Sequence, residues 1–322
     1  MRAAQIVTLD GPDAMQLREL DEPAGGPGDV VVDVHVAGVT YPEVLQTRGL
    51  YQVKPDPPFT PGSEVAGVVR RAPAGSGLTA GDRVAAFPAL GGFAEAVAVD
   101  PAFVFALPER LSFAQGAALP MNYLTVHFAL ARRGALRAGE TVLVHGAAGG
   151  VGTAGVQLAR ALGARVVAVV STPAKGEVAR AAGAHDVVLA EGFLPAVKEL
   201  TGGRGVDLVL DPVGGDRFTD SLRCLAPEGR LLVVGFTGGE IPTVRVNRLL
   251  LNNISVAGVG WGAFALARPG FLQDQWAELL PHLESGALDP PLGSSYPLER
   301  AAEAVRELDE RRAEGKVTLA VR

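Results

Sequence analysis

His145-Gly146-Ala147-Ala148-Gly149-Gly150-Val151-Gly152 decides the fold of this 322-residue chain. It follows the apolar run Thr141-Val142-Leu143-Val144 and opens a helical stretch, Val151 to Leu162, closed by Gly163. A glycine turn between a strand and a helix is the context in which the G-x-G-x-x-G spacing has a physical meaning. In that frame Ala147 stands at the first glycine, while Gly149 and Gly152 keep theirs. A bare Gly149 lets a pyrophosphate approach the backbone, and Gly152 lets the helix pack on its strand. Phosphate oxygens then meet the unpaired N–H groups and the positive dipole end of the new helix. A dinucleotide is the ligand this turn is expected to hold.

Outward from the turn, apolar strands alternate with helices. Arg165 to Val170 is followed by a helix from about Ala174 to Ala182, closed by Gly183, and Asp186 to Leu189 by a helix from Leu194 to Leu200. Asp207 to Asp211, Gly229 to Gly235 and Ile254 to Val259 bring the strands to six. Runs that are continuously apolar belong to strands buried on both faces of a parallel sheet. The expected fold class is α/β, a Rossmann doubly wound six-stranded parallel sheet.

Before residue 115 the texture differs. Val30 to Val39, Val65 to Arg70, Asp82 to Phe87 and Phe93 to Val99 read as short strands between turns such as Gly25-Gly26-Pro27-Gly28, which predicts a small irregular β-rich barrel or sandwich. The tail adds amphipathic helices at Leu272 to Leu283 and Leu298 to Arg311 and a strand at Lys316 to Val321, and is expected to rejoin the first domain. The expected division is 1–122, rejoined by 265–322, and 123–264.

Composition narrows the function classes. With 29 basic against 35 acidic side chains and no basic run beyond Arg311-Arg312, nucleic acid is not an expected partner. No apolar stretch approaches the roughly 18–20 residues a membrane span needs, and no signal-peptide run precedes Asp10, so the expected address is cytoplasmic. Cys224 is the only cysteine, which excludes an intrachain disulfide and a cysteine-built zinc site. The five histidines show no metal spacing, so no metal is expected.

The second strand of the α/β half ends at Val170-Ser171-Thr172, where a site for NAD places an acid on the ribose 2′-hydroxyl. No acid stands there. Ser171 and Thr172 offer hydrogen bonds and Lys175 a positive charge to a 2′-phosphate, which points to NADPH. The competing reading is that Ser171 and Thr172 cap the next helix and Lys175 is solvated.

Several stretches together resemble one family. They are Gly38-Val39-Thr40-Tyr41-Pro42-Glu43-Val44-Leu45, Arg48-Gly49-Leu50-Tyr51, Pro61-Gly62-Ser63-Glu64-Val65-Ala66-Gly67, the glycine turn, Asp211-Pro212-Val213-Gly214-Gly215, Val234-Gly235-Phe236 and Arg312-Ala313-Glu314-Gly315-Lys316-Val317. The chain resembles, end to end, the zinc-independent quinone oxidoreductases, the zeta-crystallin-like branch of the medium-chain dehydrogenase/reductases. The resemblance implies that the N-terminal segment is a GroES-like barrel domain. It also implies cofactor contacts at Thr40, Tyr51 and Thr125, at Ala148, Gly149, Gly150 and Val151, at Ser171, Lys175 and Arg312 around the 2′-phosphate, and at Gly235, Phe236, Gly260 and Trp261. Thr40 stands where relatives often have Asn, Ala190 where an aromatic is frequent, and Leu45 where some relatives carry Tyr. Zinc-dependent cousins place Cys near Thr40 and His near Ser63; both are absent here.

Without zinc, nothing obvious stabilises an alkoxide, whereas quinones and enones delocalise the developing charge. The expected reaction is NADPH-dependent quinone reduction without zinc or flavin, with Tyr51 and Thr40 as catalytic donors to the oxyanion. Tyr51 also reads as an aromatic lid. Tyr41, Met121, Asn122 and Trp261 are candidates for the substrate pocket, Met121 and Trp261 equally for packing, and Glu64 for a structural pairing with an arginine. Two alternatives stay open: an enoyl or alkenal reductase using the same cofactor site, and an NADPH-binding regulator or structural protein without turnover. The strand Ile254 to Val259 could pair across a two-fold axis, giving a homodimer.

Overall fold

The computed structural model of the protein describes residues 1–268 and 270–322. The chain divides into two compact units, one of Met1–Asn122, Pro269–Leu280 and Asp289–Arg322, the other of Tyr123–Arg268 and Pro281–Leu288.

The first unit opens with an antiparallel hairpin, β1 (Arg2–Ile6) and β2 (Met15–Glu19). β3 (Val30–Gly38) leads through α1 (Tyr41–Gln46) to β4 (Glu64–Arg71), β5 (Arg83–Ala86), β6 (Ala96–Val99) and β7 (Val104–Ala106). β3 is the hub, antiparallel to both β4 and β6, while β5 joins β4 to β7. Its branched Val30, Val32 and Val34 share a common core with Val65, Val69, Val84 and Val97, the packing that β-branched side chains make well on a pleated surface. Two short helices follow, α2 (Phe113–Gly116) and α3 (Pro120–His127).

The second unit carries the alternation read from the sequence. β8 (Thr141–His145), α4 (Gly150–Ala161), β9 (Arg165–Val170), α5 (Pro173–Ala181), β10 (Asp186–Leu189) and α6 (Phe193–Leu200) are followed by β11 (Val206–Asp211), α7 (Phe218–Cys224), β12 (Leu225–Val233), α8 (Asn247–Asn252), β13 (Ser255–Gly258) and α9 (Trp261–Leu266). All strand pairs are parallel and the order is β10-β9-β8-β11-β12-β13, a doubly wound sheet whose order reverses between β8 and β11.

In the tail come α10 (Phe271–Glu284), β14 (Leu292–Pro297), α11 (Ala301–Asp309) and β15 (Lys316–Ala320). β15 pairs antiparallel with β3 and carries β14 beside it, which completes a seven-stranded sheet in the first unit. Leu298, Ala301, Val305, Val317 and Leu319 enter that unit's core, and Trp276 stacks on Phe105 at 4.8 Å between centroids.

Some elements differ from the expectation. The strand expected from Phe93 begins at Ala96, and the helix expected from Leu298 starts as a single tight turn, Leu298–Arg300, before α11. No helix among the described residues is long and apolar enough to cross a membrane.

Candidate functional site

In the second unit the named residues fall at one edge of one sheet. Ala148 to Val151 follow β8, Ser171 follows β9, Gly235 and Phe236 follow β12, and Gly260 and Trp261 follow β13. In an open parallel sheet the ends of the strands at the carboxyl side are where ligands bind, beside the reversal of strand order. Thr125 lies on α3, half-buried.

The glycine turn is shaped by backbone contact. A Cβ on Gly152 would lie 2.0 Å from the Gly146 carbonyl oxygen, so only glycine lets α4 start this close to β8. Gly149 is the residue before the helix, and a Cβ there would meet nothing nearer than that same oxygen at 3.6 Å. No internal contact demands a glycine at 149, which leaves its bare backbone open to a ligand. The first turn of α4 has no acidic residue, and its leading N–H groups have no acceptor within the helix. These features fit a dinucleotide pyrophosphate.

At the end of β9, Ser171 and Thr172 are exposed and Lys175 is half-buried. Thr172 caps α5, its hydroxyl accepting from the Lys175 backbone N–H at 3.3 Å. The capping reading therefore holds for Thr172, and Ser171 is not part of it. Trp261 is buried and Phe236 is 36% exposed.

In the first unit, Thr40 stands at the start of α1 and is buried. Its backbone N–H donates to Glu43 Oε2 at 2.7 Å, and its hydroxyl donates to the same oxygen. Ser63 mirrors it on the other side, its N–H donating to Glu43 Oε1 at 3.1 Å and its hydroxyl at 2.8 Å. The expectation that Thr40 donates to a substrate oxyanion thus meets a competitor in Glu43. Burial holds the Glu43 carboxyl above its ordinary range, against the hydrogen bonds of Thr40 and Ser63 and the charge of Lys316.

Next to this cluster, Glu64 is buried and paired with the buried ammonium of Lys316, not with an arginine. Glu64 also accepts from the Met121 N–H at 2.7 Å, and Lys316 donates to the Val39 carbonyl at 2.9 Å. Tyr51 is half-buried; burial first, and the charge of Glu43 second, hold its phenol above the ordinary range. Tyr41 packs half-buried against the core, Met121 is half-buried and Asn122 buried. Arg312 is exposed, with its guanidinium on Glu310 at 2.6 Å.

Sequence reasoning passed over Glu43 and Lys316 as functional groups, and His145 and Ser221 as a pair. Glu43 does carry a signal: Thr40-x-x-Glu43 is the capping-box spacing, and both of its reciprocal bonds are formed. His145 is fully buried, with Nε2 at 2.8 Å from Ser221 Oγ. Cys224 is buried, and burial pushes its thiol up to about 12, which leaves no reactive thiolate. Among the described residues, no group of three or more His, Cys, Asp or Glu side chains comes together to hold a metal ion.

A profile of the alcohol dehydrogenase GroES-like domain matches residues 26–109, and one of the zinc-binding dehydrogenases matches residues 150–285. Quinone oxidoreductase-like protein 2 of Bos taurus is 37% identical over 325 residues, covering 100% of this chain and 93% of that relative. Among solved structures, a probable oxidoreductase from Mycobacterium abscessus is similar with a TM-score of 0.92 at 46% identity, covering 100% of this chain and 99% of that one. The quinone oxidoreductase of Thermus thermophilus, whose crystal structures include a complex with NADPH, is similar with a TM-score of 0.86 at 36% identity, with 100% of both chains covered.

Proposed function

The chain belongs to the quinone oxidoreductase-like branch of the medium-chain dehydrogenase/reductases, a family of oxidoreductases, and on that premise we propose that it is a zinc-free, NADPH-dependent quinone reductase. The observation that carries the proposal is the closed cluster of Thr40, Glu43 and Ser63. Two hydroxyls donate to one carboxylate there, with no thiolate or imidazole among them. Structural and catalytic zinc sites are built from Cys, His and carboxylates at tetrahedral spacing, and this donor set does not supply them. A reductase without a Lewis acid suits an acceptor whose ring delocalises the incoming charge.

We assign NADP binding to residues 123–264 and the acceptor side to 1–122 with 265–322. NADPH, when bound, supplies the hydride. The N–H groups of Gly150 and Val151, beside Ala148 and Gly149, hold the pyrophosphate, and Ser171 and Lys175 receive the 2′-phosphate that an acid at the end of β9 would repel. Thr125, Gly235, Phe236, Gly260 and Trp261 border the remainder of the cofactor. Tyr51 keeps its proton, because burial and the Glu43 charge disfavour a phenolate, and so it acts as a hydrogen-bond donor to the acceptor oxygen. Tyr41, Met121 and Asn122 line the acceptor pocket.

The same reading includes a homodimer. β13 ends the six-stranded order, so its outer edge pairs with no strand among the described residues, and the neighbouring Leu250 and Leu251 are 77% and 74% exposed. An unpaired edge beside an apolar face suits isologous pairing with a second copy. A monomeric mass by sedimentation at micromolar concentration would refute it.

The deciding experiment is NADPH consumption by the purified, metal-stripped protein, with a simple 1,4-quinone and a simple enone offered separately. Rapid consumption with the quinone is the expected result. Consumption with the enone alone moves the assignment to double-bond reduction, and tight NADPH binding without consumption moves it to a regulatory or structural protein.

A further inference from the structure

Glu43 fixes more than the start of α1. Each of its oxygens receives one backbone N–H and one hydroxyl, from Thr40 on Oε2 and from Ser63 on Oε1. While Glu43 is ionised its carboxylate has no hydrogen to give, so in both hydroxyl contacts the hydrogen then belongs to the threonine or serine and points at Glu43. What remains on Ser63 Oγ is lone pairs, and on Thr40 Oγ1 the lone pair that does not face the Glu43 backbone N–H of the capping box. The two oxygens stand 3.4 Å apart, and with both hydrogens engaged elsewhere neither donates to the other. They form a pair of acceptors, each polarised by the charge behind it.

The surrounding charges act in the same direction. Glu64 lies close enough to feel the charge of Glu43, and one ammonium, Lys316, serves both carboxylates. The buried cluster of Glu43, Glu64 and Lys316 carries a net negative charge when both acids are ionised. Such a site repels an oxyanion and attracts a polarised O–H.

We propose that Glu43 is a positioning residue that holds the hydroxyls of Thr40 and Ser63 as acceptors, so that this side of the site takes the hydroxyl of a phenolic ligand, the reduced form of a quinone. The inference rests on the quinone reading above and gives opposite polarities to Tyr51 and Thr40, both expected from the sequence to be donors. Tyr51 gives a hydrogen bond to the oxidised acceptor, and Thr40 receives one from the reduced product.

The test is equilibrium binding to the NADP-loaded protein, by calorimetry, of 1,4-hydroquinone and of its dimethyl ether, which has the same ring and no hydroxyl hydrogen. One hydrogen bond to a charge-polarised acceptor corresponds to about a tenfold preference for the hydroquinone. The wild type is expected to show that preference, Thr40→Ser to keep it, and Thr40→Val and Glu43→Gln to lose most of it. Equal affinities in the wild type, or an undiminished preference in both Thr40→Val and Glu43→Gln, would overturn the proposal. If Glu43→Gln does not fold, the contrast between Thr40→Ser and Thr40→Val decides alone. A wild type that discriminates between the two ligands but consumes no NADPH with a quinone removes the quinone reading and leaves this inference standing. Consumption without discrimination does the reverse.

Discussion

The ammonium of Lys316, on β15, is buried against the carboxylate of Glu64, on β4, so two strands that are separated by β3 in the sheet are joined by an ion pair. The side chains are 3% and 0% exposed, and each has a backbone partner as well, Val39 O for the lysine and Met121 N for the glutamate. Burial first, with the charge of Glu43 adding to it, holds Glu64 above its ordinary range against the charge and hydrogen bond of Lys316.

Removing one partner of such a pair strands a buried charge. Lys316→Met is expected to lower the unfolding free energy by about 3–5 kcal/mol, and the double variant Lys316→Met with Glu64→Gln to recover part of that loss. Urea denaturation of the two proteins measures it. A double variant no more stable than the single one would mean that the pair does not compensate its own burial.

Gly149 and Gly152 lie three residues apart in one turn but answer to different constraints. A Cβ at 152 would sit 2.0 Å from a carbonyl oxygen, whereas one at 149 would have its nearest neighbour at 3.6 Å. Gly152→Ala is expected to lower the unfolding free energy by roughly 1–3 kcal/mol as the turn shifts. Gly149→Ala should stay within about 0.5 kcal/mol of the wild type and weaken NADPH binding by about tenfold or more, since its methyl meets the ligand instead of the protein. Thermal melts and cofactor titration separate the two. A Gly149→Ala protein that binds NADPH as the wild type does would place the pyrophosphate elsewhere.

These contrasts show what the sequence discloses. Most strands of the second unit were legible because they are apolar runs close to a glycine, although β12 starts at Leu225, ahead of the apolar run expected from Gly229, and the turn between Gly146 and Gly152 was legible because its spacing has one backbone explanation. The β1–β2 hairpin was not, because four of the five residues of β2 are exposed and no alternation marks it. Glu43 and Lys316 were missed as site residues for a different reason. Charge on a hydropathy scale reads as surface, and Glu64 and Lys316 are 252 positions apart, so only the folded chain shows that they neutralise each other. Ser171 was noted as an end-of-strand hydroxyl, but its use depends on a ligand and not on a neighbour.

Ser171→Asp restores the acid that a site for NAD carries at the end of the second strand. A carboxylate there faces the 2′-phosphate with like charge and offers the 2′-hydroxyl an acceptor. NADPH affinity is expected to fall by about a hundredfold while NADH affinity holds or rises. Fluorescence titration with each nucleotide gives the ratio. A parallel fall for both would show that position 171 is felt through the fold and not by the phosphate.

His145 gives the protein a pH-dependent stability with a definite sign. Its ring is fully buried, edge-on to Phe193 at 5.0 Å, and burial, more than any neighbour, lowers its pKa to about 4, with Asp211 opposing and Arg217 assisting. Ser221 donates its own hydrogen to the Arg217 carbonyl at 2.9 Å, so His145 Nε2 carries the hydrogen in its contact with Ser221, and Nδ1 is left without a partner. Between pH 6.5 and about 4 the unfolded chain binds a proton that the folded chain refuses. Stability is therefore intact above 6.5 and falls with pH through this window, by up to about 1.4 kcal/mol per unit and about 3 kcal/mol in all. Carboxylates titrate over the same range, so the comparison is with His145→Gln, which keeps a donor for Ser221 and has no titration. Unfolding free energies at pH 7.5, 6.5, 5.5 and 4.5 should run parallel for the two proteins above 6.5 and converge below it. Parallel curves down to 4.5 would mean that the folded protein accommodates the imidazolium, and that the buried ring is not held neutral.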